Sequence, residues 1–304
     1  MALGLKQVRY FIATADSGQI SQAAIEVNVS QSAITTAIQQ LESELGVSLF
    51  RRHSSGVTLT PEGTRFLQHA RNVMAAVNAA ETAPLTQDNS VSGVVRLGVT
   101  YTVAGYFLPR HYARFKRSYP NISVEIFELP RQQIEESLKS GALDLAVMLV
   151  SNISDSKRLA FEPLLRSRRR LWLPVEHPLL RSETITLQDV AELPYIMLTV
   201  DEASRTAGRY WKKIGLRPKV VFNTSSVEAV RSMVADGIGV TILSDMVYRP
   251  WSLEGQRIEL RSIAADIPTM DVGLAWSKAR KQSPSTLVLH EFFSLSFGGA
   301  TAQG

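Results

Sequence analysis

The spacing of apolar residues changes character once along this chain, near residue 93, and that change limits the folds open to it. Before it, helical spacing and one hairpin pattern occur. After it, short β-branched runs alternate with amphipathic stretches. A helical head followed by an α/β body is therefore expected, in a chain of 304 residues that is long enough for two or three domains.

In the head, Leu5, Val8, Ile12 and Ala15 recur at helical spacing, and Gly18 supplies a stop. Ser21 is placed to cap a short helix over 22–27, whose Ala23 and Ala24 permit close helix approach, and Asn28-Val29 turns the chain. Ser30 then caps a third helix that runs to Leu45, with Ile34, Ile38, Leu41 and Leu45 on one face and Gly46 as its end. The opposite face carries Gln31, Ser32, Thr35, Thr36, Gln39 and Ser43. A solvated face ordinarily shows Glu and Lys, whereas short hydroxyl and amide groups suit base edges and phosphates in a major groove. Taken alone, this face fits DNA and a plain polar surface about equally.

Next, apolar pairs flank Arg51, Arg52, His53 and Gly56, the pattern of a β-hairpin wing whose basic side chains suit phosphate or a minor groove. For Arg52 the alternative is an ion pair with a helix acid. Thr60, Pro61 and Glu62 open a further helix, along which Phe66, Ala70, Val73, Val77 and Ala80 step by four and three. About two heptads of this kind serve either to pair subunits or to pack on their own domain. Residues 84–90 read as a hinge.

The body offers strands at 94–99, 122–127, 143–150, 171–173, 195–199, 220–222, 238–243 and 272–276, with helices between them and a last helix over 285–297. Such alternation predicts parallel sheets, and two units in tandem imply a cleft. Thr100, Tyr101 and Thr102 follow the first strand and precede a helix, where hydroxyls and amides can cradle an anion. Thr199 ends the corresponding strand of the second unit, and Arg205 would add a bidentate carboxylate contact. Ser225 is a weaker candidate, because Ser225-Ser226-Val227-Glu228 reads as a capping box. Arg166, Arg168, Arg169 and Arg170 read as a solvated or intersubunit patch.

Composition removes other classes. The chain has no cysteine, and its five histidines lie too far apart for a zinc-site spacing, so neither thiol chemistry nor a protein-held metal is expected. No GxSxG elbow or Walker loop occurs, and Gly237-Ile238-Gly239 lacks the third glycine of a dinucleotide fingerprint; the expectation is no enzyme and no cofactor. No apolar run approaches a membrane span, and the start lacks a signal pattern, so a cytoplasmic protein with no membrane partner is expected. The net charge of +5 does not itself point to DNA, since residues 1–92 hold six basic and seven acidic side chains.

The strings Leu5-Lys6-Gln7-Val8-Arg9-Tyr10-Phe11, Ser21-Gln22-Ala23-Ala24, Ser30-Gln31-Ser32-Ala33-Ile34-Thr35, Leu41-Glu42-Ser43-Glu44-Leu45-Gly46, Leu49-Phe50-Arg51-Arg52 and Leu59-Thr60-Pro61-Glu62-Gly63 are together highly specific. With Leu97-Gly98-Val99, Leu108-Pro109, Tyr119-Pro120 and the L-x-x-G-x-L-D stretch ending at Asp144, the sequence resembles the LysR-type transcriptional regulators over essentially its whole length. The resemblance implies a winged helix-turn-helix over 1–60, a dimerising linker helix and hinge over 61–92, and an effector-binding domain over 93–304. That domain would comprise two Rossmann-like α/β subdomains of the type II periplasmic-binding-protein kind: subdomain I about 93–162 with 269–304, and subdomain II about 163–268.

Equivalents of Thr100, Thr102 and Thr199 often line the effector site in that family, and two dimers commonly form a tetramer. The implied function is a DNA-binding regulator modulated by a small organic effector, expected to be anionic. Its partners would be double-stranded DNA, itself as homodimer or homotetramer, the effector, and RNA polymerase if it activates. Its operator would be pseudo-palindromic, matching a pair of recognition helices. The alternative, a solute-binding receptor without a DNA role, would need export and leaves residues 1–83 unexplained.

Ile20, Ser32 and Thr36 depart from a common Phe, Pro and basic residue of the family, which bears on the target sequence. Ser244 replaces a usual Pro, which would loosen the cleft wall.

Overall fold

The computed structural model describes residues 4–27, 29–53, 56–82 and 91–297. Asn28, the wing's Ser54 and Ser55, the expected hinge at 84–90 and the side chain of Ala80 lie outside the described residues. The chain divides into two compact units, Met1–Gln87 and Asp88–Gly304.

The first unit opens with α1 (Leu5–Ser17), α2 (Ile20–Glu26) and α3 (Gln31–Leu45). Gly18 and Gly46 end α1 and α3 in the left-handed conformation, which favours a residue without a Cβ. The inward stripe of α1 is Val8, Phe11 and Thr14, while Leu5 is exposed, so the buried face is rotated from the one expected. Helix α2 begins at Ile20, so Ser21 lies inside it and Gln19 occupies the cap position. Ser30 caps α3 as expected, its hydroxyl accepting from Ala33 N at 3.2 Å.

The wing pairs β1 (Phe50–His53) with β2 (Gly56–Leu59) in antiparallel register, and α4 (Pro61–Thr82) follows. The Thr60 hydroxyl accepts from Gly63 N at 2.9 Å and donates to Ser48 O at 2.7 Å, joining the start of α4 to the strand before it. Gly63 is needed for closeness: a Cβ there would lie 2.0 Å from Leu49 O. Val8, Phe11, Leu41, Leu49 and Ala70 form one core cluster of this unit, with Phe50 and Phe66 ring centroids 5.1 and 5.0 Å from Phe11. Ala23, Ala24, Ile34 and Ile38 form a second, while Leu45 at the end of the expected stripe is exposed.

The second unit has two lobes. Its elements are β3 (Gly93–Val99), α5 (Tyr101–Tyr106), α6 (Leu108–Ser118), β4 (Ile122–Glu128), α7 (Arg131–Ser140), β5 (Leu145–Leu149), β6 (Leu159–Ser167), β7 (Arg169–Pro174), α8 (Leu187–Ala191), β8 (Pro194–Leu198), α9 (Ala203–Lys213), β9 (Lys219–Thr224), α10 (Val227–Ala235), β10 (Thr241–Ser244), β11 (Ile258–Arg261), β12 (Met270–Ser277) and α11 (Pro284–Phe297). Strands β6 and β11 have no counterpart in the sequence reading, and the single helix expected after β3 is two, separated at Phe107.

The first lobe is a five-stranded sheet in the order β4-β3-β5-β12-β6. The second repeats that order as β9-β8-β10-β7-β11, its two-stranded and three-stranded pieces joined at Tyr195 and Val240, where Ile196 N donates to Val240 O at 2.9 Å. The sheets are mixed rather than parallel throughout. β3 pairs parallel with β4 and β5, but β12 is antiparallel to β5 and β6, because it arrives from the other lobe running the opposite way. In the second lobe β7 is antiparallel for the mirror-image reason.

The chain crosses between lobes near 168 and near 269, so β6 carries the first lobe to Ser167, beyond the boundary near 162 expected from the family pattern. Arg169 at the first crossing donates to Pro268 O and to Thr269 O at the second, the latter at 2.7 Å. Arg170 pairs with Asp245 at 2.7 Å, so only Arg166 and Arg168 of the basic cluster are exposed as expected. Ser244 is buried and its hydroxyl bonds Ser167 Oγ at 2.7 Å, tying β10 to the crossing where a loosened wall was expected.

Asp144 closes the L-x-x-G-x-L-D stretch for a structural purpose. It accepts from Arg96 N at 2.8 Å and from the Arg96 guanidinium at 2.8 and 3.1 Å, locking β3 beside β5.

Candidate functional site

In the first unit Gln31, Ser32, Thr36 and Gln39 are exposed along one face of α3, and Thr35 is half-buried beside them. The Ser32 hydroxyl meets Ser30 Oγ at 2.9 Å and Thr35 donates to Gln31 O at 2.9 Å, so Gln31, Thr36 and Gln39 have the freest side chains on this face. Arg51, Arg52 and His53 are exposed on β1, and His53 Nε2 lies 2.8 Å from Thr58 Oγ1. Among the described residues Arg51 and Arg52 make no ion pair, so none of the described helix acids is the partner considered for Arg52; the side chain of Glu26 lies outside the described residues.

Glu42, on the inner side of α3, was not singled out in the sequence reading. Its carboxylate accepts from Leu49 N at 2.6 Å and Phe50 N at 3.0 Å, which sets the wing's height against α3. Val57 N donates to Gly18 O at 2.9 Å and pins the other wing strand to the end of α1. Helix and wing are thus held as one surface of neutral donors and acceptors edged by guanidiniums.

Along α4, Phe66 and Ala70 pack into the core of their own unit. Of the expected seam, Val73 and Val77 are half-buried and outside that core, and the side chain of Ala80 lies outside the described residues.

In the second unit the carboxyl ends of β3, β4, β5 and β8 converge on the gap between the lobes, the position where open α/β sheets present ligand sites. Thr100 and Thr102 are buried at the end of β3 and Tyr101 is exposed. Thr100 Oγ1 is buried and has no hydrogen-bond partner among the described residues. Thr102 N donates to the Asp201 carboxylate, from the other lobe, at 2.7 Å. Asn152, after β5, donates to Asp201 O at 3.2 Å. Arg131, after β4, pairs with Glu135 at 2.5 Å and with Glu202 across the gap at 2.7 Å. Tyr106 donates its hydroxyl to Glu228 at 2.8 Å, and Arg249 lies 5.4 Å from the Tyr106 ring centre.

The charges of this gap are perturbed as its contacts require. Burial and the Glu228 hydrogen bond push the Tyr106 hydroxyl up to about 12. Burial works against the charged form of Glu135, yet hydrogen bonds from Ser154 and Arg131 hold its carboxyl below the usual range. Glu228 is treated alike by burial against Arg231 and Tyr106, and is likewise held low.

Asp201 and Glu202 have φ of 49° and 63°, and among the described residues they are the non-glycine residues with positive φ. That conformation costs of order 1 kcal/mol for each residue that carries a Cβ.

Thr199 is exposed two residues before Asp201, so the structure brings its segment to Thr102 through Asp201 rather than through Thr199 itself. Arg205 is exposed and makes no ion pair among the described residues; the guanidinium that reaches the gap is that of Arg131. The cap of α10 is Ser226, which accepts from Ala229 N at 3.1 Å, while Ser225 is exposed, so the capping role read onto Ser225 falls one residue later. Arg131, Asn152, Asp201 and Glu202 escaped the sequence reading, though all follow the ends of strands in the two sheets. Asking which polar residues come within four positions of each strand end would have found them.

Among the described residues no group of three or more metal-ligating side chains occurs, and no helix is long and apolar enough to cross a membrane.

Comparison with known proteins agrees with both units. Residues 5–64 match the bacterial regulatory helix-turn-helix protein model of the lysR family, and residues 88–296 match the LysR substrate binding domain. The chain is 31% identical over 247 residues to the transcriptional regulator CysB of Burkholderia cenocepacia, covering 79% of this chain and 77% of that one. It is 28% identical over 242 residues to a hydrogen peroxide-inducible genes activator of Pectobacterium carotovorum, covering 79% and 80%. Among solved structures, HinK, a LysR family transcriptional regulator from Pseudomonas aeruginosa, superposes with a TM-score of 0.61 at 26% identity over 95% of this chain and 96% of that one. One model matches the helical and winged first unit and the other nearly all of the second, and the chain belongs to the LysR family of DNA-binding transcriptional regulators.

Proposed function

We propose that this protein reads pseudo-palindromic operator DNA with Gln31, Ser32, Thr35, Thr36 and Gln39 in the major groove and Arg51, Arg52 and His53 on phosphate or in the minor groove. The observation that carries this reading is the pair of wing arginines, exposed and without acid partners among the described residues, beside an exposed helix face of amides and hydroxyls. Guanidiniums without internal partners are free to neutralise phosphates, and neutral side chains on α3 can exchange hydrogen bonds with base edges.

The chain acts as a homodimer or homotetramer, in the cytoplasm, and meets RNA polymerase where it activates. Exposed apolar side chains on two edge strands, Ile126 and Phe127 of β4 and Val220, Val221 and Phe222 of β9, support self-association, as do Val73 and Val77 of α4. The effector is a small organic acid taken up between the lobes near Thr100 and Thr102. The support is chemical: the Thr102 amide already binds a carboxylate, and the Thr100 hydroxyl is buried with its hydrogen-bonding capacity unspent. To move the protein from 1:99 to 99:1 between two arrangements the acid must prefer one by about 5.5 kcal/mol.

The test is fluorescence anisotropy with DNA from upstream of the protein's own gene. Gln31→Ala and Arg52→Ala are each expected to weaken specific binding about tenfold or more, with the mass on gel filtration unchanged. Arg52→Ala should also flatten the log–log salt dependence by about 0.9 for each phosphate that is no longer neutralised. Wild-type affinity in both variants would overturn the reading.

A further inference from the structure

The lobes of the second unit are joined covalently at the two crossings, but most of the polar links across the gap fall on one dipeptide. Asp201 takes the Thr102 amide on its carboxylate and the Asn152 amide on its carbonyl, and Glu202 takes Arg131. A separate link, Tyr106 to Glu228, lies to the side. The same dipeptide holds the positive φ values of the described non-glycine residues and interrupts the turn leading into α9.

Backbone held in this region persists only where its surroundings over-determine it. Here those surroundings include three bonds to the opposite lobe. If the lobes part, all three break together, and nothing across the gap then opposes relaxation of Asp201 and Glu202 to helical φ, which would extend α9 toward its N-terminus. Strained-and-bonded and relaxed-and-free are two discrete states of one short segment, the kind of bistable element on which a ligand can act.

We infer that Asp201 and Glu202 form a strained clasp that holds the two lobes shut before any ligand arrives, with the Asp201 carboxylate standing in at the Thr102 amide for the acid group of a ligand. The clasp itself rests only on the contacts above. Its role as a stand-in rests on the acid-binding reading of the cleft under Proposed function. On that reading an effector acid must displace Asp201, so entry of the ligand and release of the clasp are one event.

The experiment needs neither DNA nor effector, so it stands apart from the test of DNA binding. The chain has no cysteine, so Gln133→Cys on α7 and Lys212→Cys on α9, both exposed, place one spin label on each lobe of the full-length protein. With labelled chains diluted into an excess of unlabelled parent so that each assembly carries one labelled chain, pulsed electron–electron distance measurement should give one dominant separation in this background. Adding Asp201→Asn or Asn152→Ala should lower the ratio of closed to open forms about tenfold, equivalent to about 1.4 kcal/mol, with unchanged circular dichroism. Asn152→Ala leaves the dipeptide's own sequence untouched and so guards against a variant that merely misfolds.

In Asp201→Gly, sodium acetate should restore the short separation where sodium chloride of equal ionic strength does not. Distance distributions in Asp201→Asn and Asn152→Ala that match the parent would overturn the clasp. Acetate acting no better than chloride would overturn its role as a stand-in.

Discussion

His111 gives the second unit a measurable acid weakness. The side chain sits on α6 among Phe107, Phe297 and Phe293, with ring centroids 4.7, 4.9 and 6.3 Å away, and its Nδ1 is buried without a partner. Burial first, then the nearby Arg110 and Arg114, push its pKa down from 6.5 to about 4. The unfolded chain therefore binds a proton that the folded protein refuses between those two values. Stability is full above the unfolded value, falls as pH drops through it, and levels once the folded value is passed. At 1.36 kcal/mol per unit, the complete loss is about 3 kcal/mol, of which about 2 kcal/mol has gone by pH 5.

Urea unfolding followed by tryptophan fluorescence isolates this effect, because all four tryptophans lie in the second unit. His111→Leu keeps the site apolar and removes the titration. Between pH 8 and pH 5 its unfolding free energy should fall by about 2 kcal/mol less than the parent's, and the loss that remains includes that of His177, whose pKa burial also lowers. A parent and variant that weaken in parallel over that range would refute the assignment of His111 as a neutral, buried imidazole.

Gly63→Ala forces a methyl group against Leu49 O, a backbone atom that cannot turn aside, and is expected to destabilise the first unit by about 1–3 kcal/mol. Amide hydrogen exchange in α1 and α3 reads this directly, and parent-like protection would show that α4 can shift at no cost. Thr100→Val replaces an unpartnered buried hydroxyl by a methyl group of similar size, and should leave the ligand-free unit equally stable or about 1 kcal/mol more so. A fall of that size in urea would mean the hydroxyl has a partner in the protein. If the effector is the organic acid proposed above, calorimetry should show the same variant binding it more weakly.

Local signals carried the outline of this protein a long way. The N-cap of α3 at Ser30, the left-handed stops at Gly18 and Gly46, the wing and the opening of α4 at Thr60 and Pro61 are where local chemistry places them, since each depends on residues within a few positions. The polar face of α3 was visible for the same reason: one helix turn is enough to define it. Strands β6 and β11 were missed because the apolar residues of β6 are broken by Glu162, Pro163 and Arg166, and because β11 is only four residues long; both draw their pairing from distant strands.

The cleft is another matter. A window along the chain indicates that Thr100 and Thr102 follow a strand, but not that a carboxylate 99 residues away rests on the Thr102 amide. Likewise Arg205 and Arg131 look alike as free guanidiniums in one dimension, and the sheet order places Arg131 at the gap while Arg205 faces solvent. Composition and periodicity suffice for helices, caps and one exposed face, because those depend on neighbours in sequence. Which acid meets which amide across two lobes depends on where the chain crosses between them, and that is settled by packing and sheet order at long range.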